Sequence, residues 1–220
     1  MPKEMDHKLR ENVVAELEWE PSIDARKIGV AVDNGIVTLT GHVATYAEKT
    51  AAEKAIKHLH GVLAVANDIE VRPPVAAERD DADIARAVVN ALEWNVAVPK
   101  EKIDVLVSKG WVTLEGSVDW YYQKREAEEA VRVLLGVRGV TNKILVAARK
   151  IAVADVKTKI EAALKRNAEI DAQKIIVETT DSQVILRGNV RSWIEREDAV
   201  NAAWAAPGVT RVVDRIAIHA

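Results

Sequence analysis

Four arginines near the C-terminus, Arg187, Arg191, Arg211 and Arg215, are the side chains best suited to binding chemistry. A guanidinium group is a planar fork of donors that matches phosphate or carboxylate geometry and stays charged at any physiological pH. The four fall in two runs that read as neighbouring strands. With strands about 4.8 Å apart and side chains alternating at period two, all four are expected to point away from the helices, within reach of one phosphate. Glu178 and Asp214 lie near them in the pattern, and pairing with those carboxylates is the competing arrangement, a solvated charge cluster. The aromatic residues form the second candidate group: six Trp, three Tyr and no Phe. Rings with an apolar body and a polar edge suit surfaces half in water, membrane interfaces included. Trp111, Trp120, Tyr121 and Tyr122 are the candidate interfacial aromatics.

The totals exclude several other chemistries. There is no cysteine, which removes disulfides, thiolate metal sites and thiol nucleophiles. No Ser/His/acid set, paired carboxylates or Gly-rich phosphate loop stands out, so no catalytic residue and no cofactor is expected. Apolar residues make up 49% and charged residues 30%, and no apolar run reaches the ~20 residues of a transmembrane helix. The net charge of −3 lacks the basic footprint of a nucleic-acid binder. Residues 1–8 lack an apolar signal segment, so the chain as written is expected in the cytoplasm; the alternative is the periplasm, for a trimmed mature form.

The elements that must position these residues are one pattern written three times. Leu17, Leu92 and Leu164 lie 75 and then 72 residues apart, and the same offsets carry Ile28 onto Ile103 and Ile175, and Gly41 onto Gly116 and Gly188. Each copy is therefore a control for the others, since a residue that the fold needs should recur. Gly41, Gly116 and Gly188 recur and read as structural glycines at a close backbone approach. His42, His58 and His60 have no histidine counterparts in the other copies and read as solvated residues, so no metal site is expected. Asp80, Asp81 and Asp83 precede a helix start, where carboxylates favour the helix dipole. The net charge steps from −3 over residues 1–74 to −2 over 75–148 and +2 over 149–220.

Each copy opens with apolar residues at steps of four, as in Leu9, Val13 and Leu17, which mark one face of a helix. Two alternating runs follow, Ile28-x-Val30-x-Val32 and Val37-x-Leu39 in the first copy, joined by Asn34-Gly35, a strong hairpin signal. Thr45 with Glu48, and Ser192 with Glu195, read as capping boxes for a second helix; in the middle copy Asp119 is expected to take the cap. A final alternating strand carries Asn67, Asn142 or Asp214 at a buried parity, where a bulge or bend with a side-chain bond to backbone amides is expected. Tyr46, Tyr121 and Trp193 recur in the first turn of the second helix and are expected to cover the edge of their own core.

The fold class is thus α+β: three tandem αββαβ modules over 5–72, 80–147 and 152–219. In each, a right-handed crossover makes a three-stranded mixed sheet, order 1-2-3, with two helices on one face and the other face open. Pro73-Pro74 stiffens the first linker, and the second is three residues shorter, so copies two and three are expected to be the more firmly fixed pair.

The order of elements, the run Val37-Thr38-Leu39-Thr40-Gly41-His42-Val43 and the ending Gly208-Val209-Thr210-Arg211-Val212-Val213-Asp214 resemble the BON domain, the bacterial osmotic-stress and nodulation module. All three copies carry the resemblance. It implies a non-catalytic module linked to osmotic or envelope stress that attaches to phospholipid surface or envelope partners, so an anionic phospholipid surface or a protein partner is expected; the alternative is a cytosolic scaffold responsive to potassium, or a protein-interaction module.

Overall fold

A computed structural model describes residues 2–147, 153–166 and 174–218. Repeat 1 contains α1 (Pro2–Trp19), β1 (Ile28–Asp33), β2 (Ile36–Val43), α2 (Tyr46–Lys57) and β3 (Ala64–Val71). Repeat 2 contains α3 (Asp81–Trp94), β4 (Ile103–Ser108), β5 (Trp111–Val118), α4 (Tyr121–Arg132), β6 (Gly139–Asn142) and β7 (Leu145–Val146). Repeat 3 contains α5 (Val153–Arg166), β8 (Ile175–Thr180), β9 (Gln183–Val190), α6 (Trp193–Trp204) and β10 (Arg211–Ile218). In every repeat the first two strands are antiparallel and the third joins the second in parallel, giving the mixed order 1-2-3.

The hairpins turn as their residues dictate. Asn34, Lys109 and Asp181 have φ of 49°, 52° and 51°, and Gly35 and Gly110 follow at 76° and 77°. In repeats 1 and 2 the first helix also holds its hairpin. Asp6 accepts from the amides of Asn34 and Gly35 at 2.8 and 3.0 Å, and Asp81 accepts from those of Lys109 and Gly110 at 2.8 Å each. These bonds hold the Asp81 carboxyl below its ordinary pKa. The sequence has Val153 at the corresponding position of repeat 3, so this clasp is specific to the first two copies.

Each repeat has its own core between its helices and one sheet face. Leu39, Leu114 and Leu186 occupy equivalent places at its centre, each fully buried. Truncating any one of them to alanine is expected to cost about 2 to 5 kcal/mol, by urea denaturation of the full chain. A single exposed-like response among the three would contradict the equivalence of the repeats.

The third strands resolve the polar residue at buried parity. Asn67 donates to the Lys49 carbonyl and the Glu53 carboxylate, and its own oxygen accepts from the Ile69 amide. Asn142 makes the same set with Lys124, Glu128 and Ile144. In repeat 3 the glutamate position is Val200, and an aspartate replaces the asparagine: Asp214 accepts from Arg196 at 2.6 Å and from the Ile216 amide at 2.9 Å. The side chain thus ties strand to second helix in all three copies. Only in repeat 2 is the strand broken, between β6 and β7; in repeats 1 and 3 the register runs on without a bulge.

The middle cap differs from expectation. Thr45 and Ser192 accept from the Glu48 and Glu195 amides as capping boxes require. In repeat 2, however, the N-cap position is Trp120, and the Gln123 carboxamide oxygen closes the turn by accepting from the amides of Asp119 and Trp120. The Asp119 carboxylate accepts instead from Lys102, at 2.8 Å.

Candidate functional site

The three recurring glycines are structural. Gly41, Gly116 and Gly188 have φ of +114°, +133° and +136°, and a Cβ on each would stand 2.1, 2.1 and 1.9 Å from the carbonyl oxygens of Lys27, Lys102 and Lys174. Only glycine lets the second strand pass this close to the backbone that enters the first.

The recurring aromatics do not cover their own cores. Tyr46 of repeat 1 packs against the core of repeat 2, where burial, with the Glu128 carboxylate adding to it, pushes its phenol above the ordinary pKa. Tyr121 of repeat 2 stacks on Trp204 of repeat 3, ring centres 4.4 Å apart and planes 8° from parallel. Trp193 of repeat 3 packs against the core of repeat 1, under the Lys57 ammonium at 5.4 Å from the ring centre. Its own Arg196 lies 4.9 Å from the same ring centre. Lys57 and Trp204 are equivalent positions under the 75 and 72 offsets, and the residue between them in that series is Arg132, whose charge acts on Tyr46. An equivalent junction therefore recurs three times: the first-turn aromatic of each second helix packs on the next repeat, and Tyr121 and Trp193 meet the last turn of its second helix. Contacts that run from repeat 1 to 2, 2 to 3 and 3 to 1 close a ring with pseudo-threefold symmetry. The linkers consequently do not single out repeats 2 and 3 as the fixed pair, and the second junction, 148–152, lies outside the described residues.

This geometry separates the candidate interfacial aromatics. Tyr121 is part of a junction and is not an exposed anchor. Trp120 is half-buried beside it, while Tyr122 is exposed. Trp111 begins β5 and these aromatics follow its far end, Val118, which is seven residues or about 23 Å along the strand from Trp111. It lies on the open sheet face over Gly139, where a Cβ would come within 2.5 Å of the indole, and its Nε1 donates to Thr141 at 2.8 Å.

The arginines are likewise only partly brought together. β9 and β10 are parallel neighbours, and the register sets Arg187 beside Arg215 and Arg211 beside Gln183. Arg211 is thus four residues, or about 13 Å, from Arg215 along the strand, so the four cannot share one phosphate. Arg191 lies just past the end of β9, where its guanidinium bonds Glu195, buried in the first turn of α6, at 2.9 Å. Arg187 on β9 donates to Glu178 on the neighbouring β8 at 3.3 Å, and Arg215 is exposed. Ile176 is exposed on the same sheet face. The open faces of the other repeats show Ile36, Leu106 and Trp111.

Among the described residues no group of three or more His, Asp or Glu has the spacing to hold a metal ion, and no helix is long and apolar enough to cross a membrane. His42, His58 and His60 are exposed.

Comparison with known proteins fits the threefold repeat. The sequence pattern of the BON domain matches residues 5–73, 80–148 and 152–220, and the chain belongs to the BON domain family. Osmotically-inducible protein Y of Escherichia coli (strain K12) is 29% identical over 141 residues, 62% of this chain and 70% of that protein. Among solved structures, the C-terminal domain of CdsD, a structural protein of the type III secretion system of Chlamydia trachomatis, aligns over 96% of both chains. It is 14% identical and superposes with a TM-score of 0.28, too poor to define a shared arrangement.

Proposed function

We propose that the chain is a stress-associated binding module, without catalysis, that attaches to anionic phospholipid surface through the open sheet face of repeat 3. The carrying observation is the Arg187–Arg215 pair, held side by side on an exposed face by the parallel register of β9 and β10. Two guanidinium groups on strands about 4.8 Å apart match one phosphate headgroup, for which Arg187 exchanges its exposed partner Glu178, and the exposed Ile176 adds apolar area beside them. Arg211 adds charge farther along the face, and Arg191, engaged with Glu195, acts as a structural residue. The association with stress rests on family membership and on the likeness to an osmotically inducible relative.

In repeats 1 and 2 the positions of Arg187 and Arg215 are Thr40 with Asp68 and Glu115 with Lys143, so phosphate binding maps to repeat 3 alone. Cosedimentation of the full chain with phosphatidylglycerol vesicles at low salt tests the reading. Binding is expected, weakened about tenfold by Arg187→Gln with Arg215→Gln and weakened by added salt. Absence of binding at low salt, or unchanged affinity in the double variant, refutes it. Fractionation of the native host decides between cytoplasm and periplasm.

A further inference from the structure

Two tryptophans stand almost free of the protein at equivalent positions. Trp19 ends α1 and Trp94 ends α3, exposed to 83% and 86%, and the third position of the series is Arg166, exposed at the end of α5. Equivalent residues of a closed threefold ring lie at one height along its axis, so these side chains mark the corners of a triangle. Leaving two large indoles in water is unfavourable unless something covers them.

The corners differ in chemistry. The first carries Glu16 and Glu18 around Trp19, and Glu20 follows, its carboxylate bonded by the Ser22 amide. The third carries Lys165 and Arg166, both exposed. The second is apolar: Trp94 is joined by the fully exposed Val96, and the nearby charges are paired internally, Glu93 with Lys100 at 3.2 Å and Lys102 with Asp119 at 2.8 Å.

We infer that this triangle is a self-association face and that its partner is a second copy of this chain. In a two-fold dimer a residue on the axis meets its own copy, while any other residue i of the interface meets a different residue j and j meets i. If the two-fold axis passes through the second corner, Trp94 and Val96 meet their own copies, while the first corner meets the third. An apolar corner is self-complementary. An acidic corner with a tryptophan suits a basic one, the Arg166 guanidinium lying over Trp19 and Glu18 facing Lys165. The other two choices of axis fail, because they set acidic corner on acidic corner or basic on basic. The charge gradient of the whole chain, from −3 in the first third to +2 in the last, has the same sense. This face is separate from the arginine-bearing sheet of repeat 3, and the inference does not depend on lipid binding.

Sedimentation equilibrium of the full chain measures it, against a monomer mass of 24.2 kDa. A dimer is expected at high micromolar concentration, weakened at least about tenfold by Trp94→Ser, which lies in the exposed face and leaves circular dichroism unchanged. Lys165→Glu with Arg166→Glu should also break the dimer, and adding Glu18→Arg and Glu20→Arg to that variant should restore it. A monomer at all concentrations, or a dimer indifferent to Trp94→Ser, overturns the inference. So does failure of the charge swap to restore pairing. A monomer whose tryptophan emission shifts to the blue on uncharged phosphatidylcholine vesicles would assign the triangle to a membrane surface instead.

Discussion

Gly116→Ala should destabilise repeat 2 by about 3 to 5 kcal/mol, and Gly41→Ala and Gly188→Ala should do the same in their own repeats. Two costs combine. The backbone at Gly116 has φ of +133°, which a side chain does not tolerate, and the new methyl would lie 2.1 Å from the Lys102 carbonyl oxygen. That oxygen is main chain at the entry to β4 and cannot swing aside as a flexible side chain would. Relief requires the β4–β5 pair to part where Ile103 faces Gly116, which exposes Ile103 and then Leu114. Urea denaturation with hydrogen exchange resolved by repeat would read the effect. Loss confined to residues 80–147 is expected, and a shift below about 1 kcal/mol would show that the strand crossing adjusts after all.

The same residues show why the fold was legible. A requirement imposed by backbone geometry returns in every copy, as it does for these glycines, for Leu39, Leu114 and Leu186, and for the turn residues at 34, 109 and 181. Three copies at fixed offsets therefore gave helices, strands, strand order and core together. Strand parity stops where the strand ends: Arg191 is outward-facing only if β9 continues past Val190, and the chain instead turns into α6 and gives that guanidinium to Glu195. Arg211 and Arg215 share one face of one strand, yet side chains on that face spread along it, about 13 Å over four residues.

The ring was not legible, for a physical reason. Recurrence at 46, 121 and 193 says that an aromatic is needed there but not whose core it meets. The receiving positions, Lys57, Arg132 and Trp204, share no residue type, because a cation over a ring and a ring on a ring both satisfy an aromatic face. No pattern in the sequence marks them as one surface.

Trp193 tests that surface most sharply, because its indole Nε1 is buried without a hydrogen-bond partner among the described residues. Trp193→Ala removes a ring lodged against the repeat 1 core, with Lys57 and Arg196 over its faces, and should cost about 2 to 4 kcal/mol. The loss should spread beyond repeat 3. Amides of α2 in repeat 1 should exchange faster, since that helix receives the ring. Trp193→Phe is expected to fall within about 1 kcal/mol of the parent, because the lost area and the weaker attraction for two cations are offset by removing a buried, unpaired N–H worth about 1 to 3 kcal/mol. Equilibrium denaturation of both variants, with exchange monitored on α2, gives the comparison. If phenylalanine were as damaging as alanine, the indole N–H would have a partner and the junction would be held by a hydrogen bond. If neither variant altered exchange in repeat 1, the third contact would not close the ring.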